Sequence, residues 1–106
     1  MKNSVASIES GLIFVHSDRV AFRQVDGEVL IVPIRMSTSD PTGVYRLNHT
    51  ASFVWAQLDG RKDVNAIVAK MVSQFDVTAD EAFKDVSELL QDLLSFDAIV
   101  ELDAIS

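Results

Sequence analysis

A chain of 106 residues, 48% hydrophobic and 24% charged, is sized and composed for one globular domain around a single core. It contains no cysteine, which excludes disulfides, thiolate catalysis and cysteine-held zinc or iron–sulfur centres. The formal net charge of −7 is uneven: residues 1–75 carry eight Lys/Arg against seven Asp/Glu, and residues 76–106 carry Lys84 alone against nine acids.

The first ten residues are small and polar and read as frayed, or exchanged with a neighbouring molecule. In "MKNSVASIESGLIFVHSD" Glu9 interrupts the apolar content, and no stretch of the chain reaches the roughly 18 apolar residues of a membrane span. The expectation is a soluble cytoplasmic protein with no membrane partner. Residues 1–18 are set apart as an N-terminal arm, in which "LIFV" at 12–15 can form a short strand, and residues 19–106 as the domain. "RVAFRQVDGEVLIVPIR" at 19–35 is two β-rich runs around Asp26-Gly27, a pair suited to the positive φ angles of a tight type I′ hairpin. Pro33 has no N–H for a ladder, so the second strand bends, bulges or leaves that side unpaired.

"MSTSDPTG" at 36–43 is loop by composition, and Val44, Tyr45, Arg46 and Leu47 alternate as a third strand. Asn48 is a natural N-cap for a helix over about 49–59, with Ala51, Val54, Trp55 and Leu58 on one stripe and Gly60 at the left-handed C-terminal position. Asp63 caps a second helix with Val64, Ile67, Val68, Met71, Val72 and Phe75 at helical spacing. Thr78 and Glu81 form a capping box for a third, lined by Ala82, Val86, Leu89, Leu90, Leu93 and Leu94. "AIVEL" at 98–102 closes as a short strand. The order expected is β-β-β-α-α-α-β.

These residues carry a resemblance. Leu47-Asn48, Ala51, Val54-Trp55, Asp59-Gly60, Val64, Ile67-Val68, Phe75-Asp76 and Asp85-Val86 with Leu89, Leu90 and Leu93 resemble, in order, the pattern of the PqqD family, small peptide chaperones also called RiPP recognition elements. The match covers about residues 19–102. Departures are the long N-terminus, the loop at 36–42, and Asp97-Ala98 where a small or glycine residue is usual. The resemblance implies an α+β, winged-helix-like domain: a three-stranded antiparallel sheet, three α-helices and a short C-terminal strand. It implies binding of the leader segment of a ribosomally made precursor peptide, presented to a modifying enzyme, frequently a radical S-adenosylmethionine protein. The leader would add as a β-strand to the third strand and pack against the third helix.

The residues expected at that surface are Val44, Tyr45, Arg46 and Leu47 on the strand, with Phe83, Val86, Ser87 and Leu90 on the helix. Asp85, Glu88 and Asp92 on or beside the helix predict Lys or Arg near the docking segment of the leader. As an ordinary solvated helix face, the same acids equally serve solubility.

Two other readings stay open: an adaptor subunit that binds a folded partner, and a winged-helix DNA-binding regulator. The second is weakened because the third helix offers only Lys84 and Gln91 toward phosphates and bases, among six acids from Asp80 to Asp97. No catalytic set is visible. His16 and His49 are the only histidines, neither has a local partner pattern, and no metal-ligand spacing is present. Trp55 reads as core packing. No catalysis, cofactor, metal or nucleic acid is expected, and the protein is a monomer or a dimer.

Overall fold

The computed structural model describes residues 8–34 and 44–102. The loop expected at 36–43 lies outside the described residues, as do positions 1–7 of the arm. Chain order is β1 (Ile13–His16), β2 (Val20–Val25), β3 (Glu28–Pro33), β4 (Tyr45–Leu47), α1 (His49–Gln57), β5 (Asp59–Asp63), α2 (Val64–Gln74), α3 (Ala79–Ser95) and β6 (Ile99–Leu102). The α+β class and the three helices are as the sequence implies, and the arrangement is winged-helix-like.

Two three-stranded antiparallel sheets form, in the orders β2-β3-β4 and β5-β1-β6. The first is the sheet expected from the sequence. Asp26 and Gly27 have φ of 54° and 82°, the positive values that both central residues of a type I′ turn need. Val25 then faces Glu28, and pairing runs back to Val20 opposite Pro33, which sits at the end of the ladder where its missing donor is harmless. The imidazole of His49 lies against the turn: its Nε2 is 3.3 Å from the Asp26 carbonyl, and a Cβ on Gly27 would stand 2.9 Å from the same nitrogen.

The second sheet departs from the expected order. "DGRKD" at 59–63 is polar and reads as a linker between helices, yet it pairs with β1 as β5. α1 therefore ends at Gln57, and Gly60 does not cap it; its φ of 84° lies within β5, where Leu102 Cδ1 and Val15 Cγ2 would meet a Cβ at 3.2 and 3.6 Å. The short strand foreseen at 12–15 is the middle of this sheet, between β5 and β6, and its Phe14 is buried. Leu12 and Ser10 carbonyls accept from the Val64 and Asn65 N–H groups and tie this segment to the start of α2.

The helix starts follow local chemistry. Oδ1 of Asn48 accepts from Ala51 N–H at 2.8 Å, Oδ1 of Asp63 accepts from Ala66 N–H at 2.9 Å, and Thr78 and Glu81 exchange side-chain-to-backbone bonds at 3.1 Å. Each satisfies donors that a helix leaves free at its first turn. Between the sheets and helices lies one core, including Phe14, Val29, Ile31, Leu47, Val54, Trp55, Ile67, Met71, Val86 and Leu90.

Trp55 is 1% exposed, a core residue as read from the sequence. His16 of β1 stacks on it at 3.8 Å, Phe22 of β2 meets it edge-on at 5.1 Å, and His16 Nε2 donates to the Trp55 carbonyl at 2.8 Å. This three-ring joint holds the two sheets to α1. Burial pushes the His16 imidazole below its usual pKa, against the opposing effects of the Trp55 carbonyl and the Asp59 carboxylate.

Candidate functional site

Among the described residues β4 has β3 on one side and no strand on the other. Its register places Val29 opposite Leu47, Leu30 opposite Arg46 and Ile31 opposite Tyr45. The last rung is made through a side chain: Val29 N–H donates to Ser52 Oγ at 2.8 Å, and Ser52 Oγ donates to the Leu47 carbonyl at 3.1 Å. Val29 N–H thus points at β4. By the alternation of antiparallel pairing, Tyr45 also bonds toward β3, and Arg46 turns its N–H and C=O to the open edge. Ser52, buried on α1, fixes the strand from behind. Sequence reasoning passed it over; a small hydroxyl residue four places after the cap was the available signal.

The helix beside this edge is α3, approached by one particular flank. The Tyr45 ring meets Phe96, the residue that ends α3, edge-on at 4.4 Å. Partial burial and the nearby Asp92 carboxylate both raise the Tyr45 pKa. At the other end of β4, Asn48, Thr50, Ala51, Val54, Met71, Asp85 and Leu89 line a cavity of about 340 Å³. At ~100° per residue, positions 85, 89, 92 and 96 fall within one narrow sector of the helix. The α3 flank of Asp85, Leu89, Asp92 and Phe96 is therefore the one turned toward β4, and the cavity at its Asn48 end, walled by α1, α2 and α3, forms with that flank a groove beside the strand.

The residues expected from the sequence divide accordingly. Val44, Tyr45 and Arg46 lie at the open edge, with Val44 57% exposed, and Arg46 leans 3.7 Å from Glu28 on the sheet's outer face. Leu47 offers only backbone, because its side chain is in the core. Val86 and Leu90 are 0% exposed, so neither side chain is available to a peptide. Phe83 and Ser87 lie on the opposite flank of α3, toward the second cavity, of about 390 Å³, lined by Leu12, Phe14, Gln91 and Leu94 among others. The physical reason is that the buried stripe of Ala82, Val86, Leu90 and Leu93 has two flanks, and α3 turns the 85–89–92–96 flank to β4.

Charge on the groove flank is selective. Lys84 Nζ pairs with Glu88 at 3.0 Å, which raises the lysine's pKa with a smaller contribution from Asp85, and neither Asp85 nor Asp92 is within salt-bridge distance of a cation among the described residues. No group of His, Asp and Glu among the described residues is arranged to hold a metal ion. No described helix is long and apolar enough to cross a membrane.

Known proteins place these features in context. The sequence profile of the PqqD family, described as coenzyme PQQ synthesis protein D, matches residues 29–99, from β3 through the start of β6. A "PqqA binding protein" of Pseudomonas putida (strain W619) is 33% identical over 51 residues, 48% of this chain and 55% of that relative, so the match spans about half the length of the relative. Two solved structures share the fold with TM-scores of 0.69. One is TbiB1 in complex with the TbiA(beta) leader peptide, at 20% identity over 87% of this chain and 98% of that one. The other is lasso peptide synthetase B1 complexed with the leader peptide, at 17% identity over 82% and 96%. With the family's profile running through β3, the open strand β4, all three helices and the groove between them, this chain belongs to the PqqD family.

Proposed function

We propose that this chain binds the leader segment of a precursor peptide as a strand added to β4 and presents the peptide to a modifying enzyme. The observation that carries this reading is the open edge of β4 beside the α3 groove. An extended segment there completes a ladder that otherwise ends at Arg46, and sends alternate side chains into the groove. The P. putida relative is named for binding PqqA, and both structural neighbours hold leader peptides, which supports the same use here. The peptide-facing set is Val44, Tyr45 and Arg46 with Asp85, Leu89, Asp92 and Phe96. In this reading the chain binds and does no chemistry, and its setting is the cytoplasm.

The modifying enzyme, of radical S-adenosylmethionine type in the family's frequent pattern, meets the outer face of the same sheet. Val32, Ile34 and Val44 are exposed there to 38%, 60% and 57%, beside the proposed leader. The acids along α3 oppose a duplex DNA partner. The test is an amide NMR titration with the N-terminal segment of a short peptide encoded beside this chain. Shifts concentrated at 44–48 and at 85, 89, 92 and 96 are expected. Shifts that avoid β4, or appear only with a folded neighbour, would overturn strand addition in favour of an adaptor.

A further inference from the structure

The groove has a charge pattern with a length scale. β4 runs antiparallel to α3: Tyr45 lies at the Phe96 and Asp92 end, and Asn48 at the Asp85 and Leu89 end. Asp85 and Asp92 are two helical turns apart, about 10.5 Å along the axis. Each stands beside apolar surface. Asp92 is next to the Tyr45–Phe96 ring pair, and Asp85 rims a cavity floored by Val54 and Met71. An acid next to apolar surface suits Lys or Arg, whose methylene stem packs while the cationic head reaches the carboxylate. Between the two acids on the same flank is Leu89, half-buried, which suits an apolar side chain.

A strand beside β4 points every second residue into the groove, with spacings of about 6.7 Å for i and i+2 and about 13 Å for i and i+4. Cations at i and i+4 bracket the acids within the reach of their long side chains and leave i+2 over Leu89. Cations at i and i+2 leave Leu89 without an apolar partner and repel each other.

We infer that the strand this groove accepts reads basic–x–apolar–x–basic, its two cations meeting Asp85 and Asp92 and its central residue covering Leu89. This rests on the leader-binding reading above and names the chemistry of the peptide. Glu88 takes no part, because its carboxylate bonds Lys84 directly, whereas Asp85 acts on that lysine only through space.

The probe is an uncharged, β-forming host peptide bearing Lys-Thr-Leu-Thr-Lys, compared with versions carrying Gln for both Lys and with the two Lys moved to i and i+2. Binding is followed by anisotropy, and β4 amide shifts report where each peptide sits. The i,i+4 peptide is expected to bind about five-fold to ten-fold tighter than the Gln version at low salt, as two partly screened ion pairs allow. Asp85→Asn with Asp92→Asn is expected to remove that advantage, whereas Asp76→Asn with Asp80→Asn, the same charge change off the groove, is expected to keep it. If all versions shift β4 equally and bind equally, strand addition stands and the charge pattern is overturned. If the control pair removes the advantage as fully as the groove pair, overall charge is responsible and the pattern is again overturned. If no version moves β4, the leader reading fails with it.

Discussion

β2, β3 and β4 pair with their sequence neighbours through a tight turn and one connection, whereas β1 meets β5 and β6 only after the chain has passed through the hairpin and, for β6, all three helices. Each rung of the first sheet costs little loop closure, whereas in the second the β1–β5 rungs close nearly half of the chain and the β1–β6 rungs most of it. The consequence is a division of roles. The local sheet ends in β4, whose outer edge is unpaired among the described residues and lies beside α3, and the non-local sheet buries Phe14 and ties β1 to the end of the domain. Its distant pairings belong to the class of contacts that form slowly. The open edge of β4 therefore depends on a framework it does not itself contain.

That dependence can be broken first at Phe14. Phe14→Ala leaves a cavity at the middle of the non-local sheet and is expected to cost about 3–5 kcal/mol, read from the urea midpoint. Amides of β2, β3 and β4 should lose exchange protection in the same transition; retention of theirs alone would make the sheets independent. A smaller effect separates edge from framework. Ser52→Ala removes the bridge between Val29 and Leu47, leaves both groups short of a partner, and should cost about 1–3 kcal/mol. Faster hydrogen exchange at 45–47 and weaker leader binding should accompany it, with β1 and β6 unchanged.

Two glycines put the same strain into the two sheets. Gly27→Ala and Gly60→Ala each force a left-handed residue to carry a Cβ, worth about 1–2 kcal/mol in melting experiments. The first should displace the His49 ring and raise exchange at the hairpin tip. The second should press on Leu102 and raise exchange in β5 and β6.

The smallest effect is at the joint. Because the folded pKa of His16 is depressed below 6.5, the unfolded chain binds the extra proton between that folded value and 6.5. Stability from the neutral ring is present above pH 6.5 and is lost as the pH falls through the folded value. His16→Asn should lower the melting temperature near neutrality and narrow its difference between about pH 7.5 and about pH 5.5. An unchanged difference would mean that the stacked ring does not sense protons.

The legibility of the fold follows the same division. The Asp26-Gly27 turn, the Asn48, Asp63 and Thr78 caps and the buried stripe of α3 are interactions among residues a few places apart, so their chemistry is written locally. β5 was illegible because Asp59, Arg61, Lys62 and Asp63 have no strand propensity; they are extended because β1 offers a ladder. Gly60 looked like a helix terminator for the same reason, since a positive φ serves a cap or a twisted strand alike.

At the candidate site, the strand half was visible and the helix half was not. Alternation in Val44 to Leu47 marks a short strand, but the open edge and the burial of Leu47 depend on its position beside β3. For α3, periodicity identifies the buried stripe and is symmetric about it, so Phe83 and Ser87 on one flank are as plausible as Asp85 and Leu89 on the other.

By itself, then, the sequence determined the hairpin, the helix starts, the apolar stripes, the acidic character of α3 and the family resemblance, all set by neighbours in the chain and the order of motifs. Only the tertiary structure decided that β1 is a central strand, that β5 exists, and that Asp85, Leu89, Asp92 and Phe96 face β4. Those features depend on how the crossing of α3 over the sheet breaks the symmetry of its stripe, and on backbone groups that find partners only when distant segments meet.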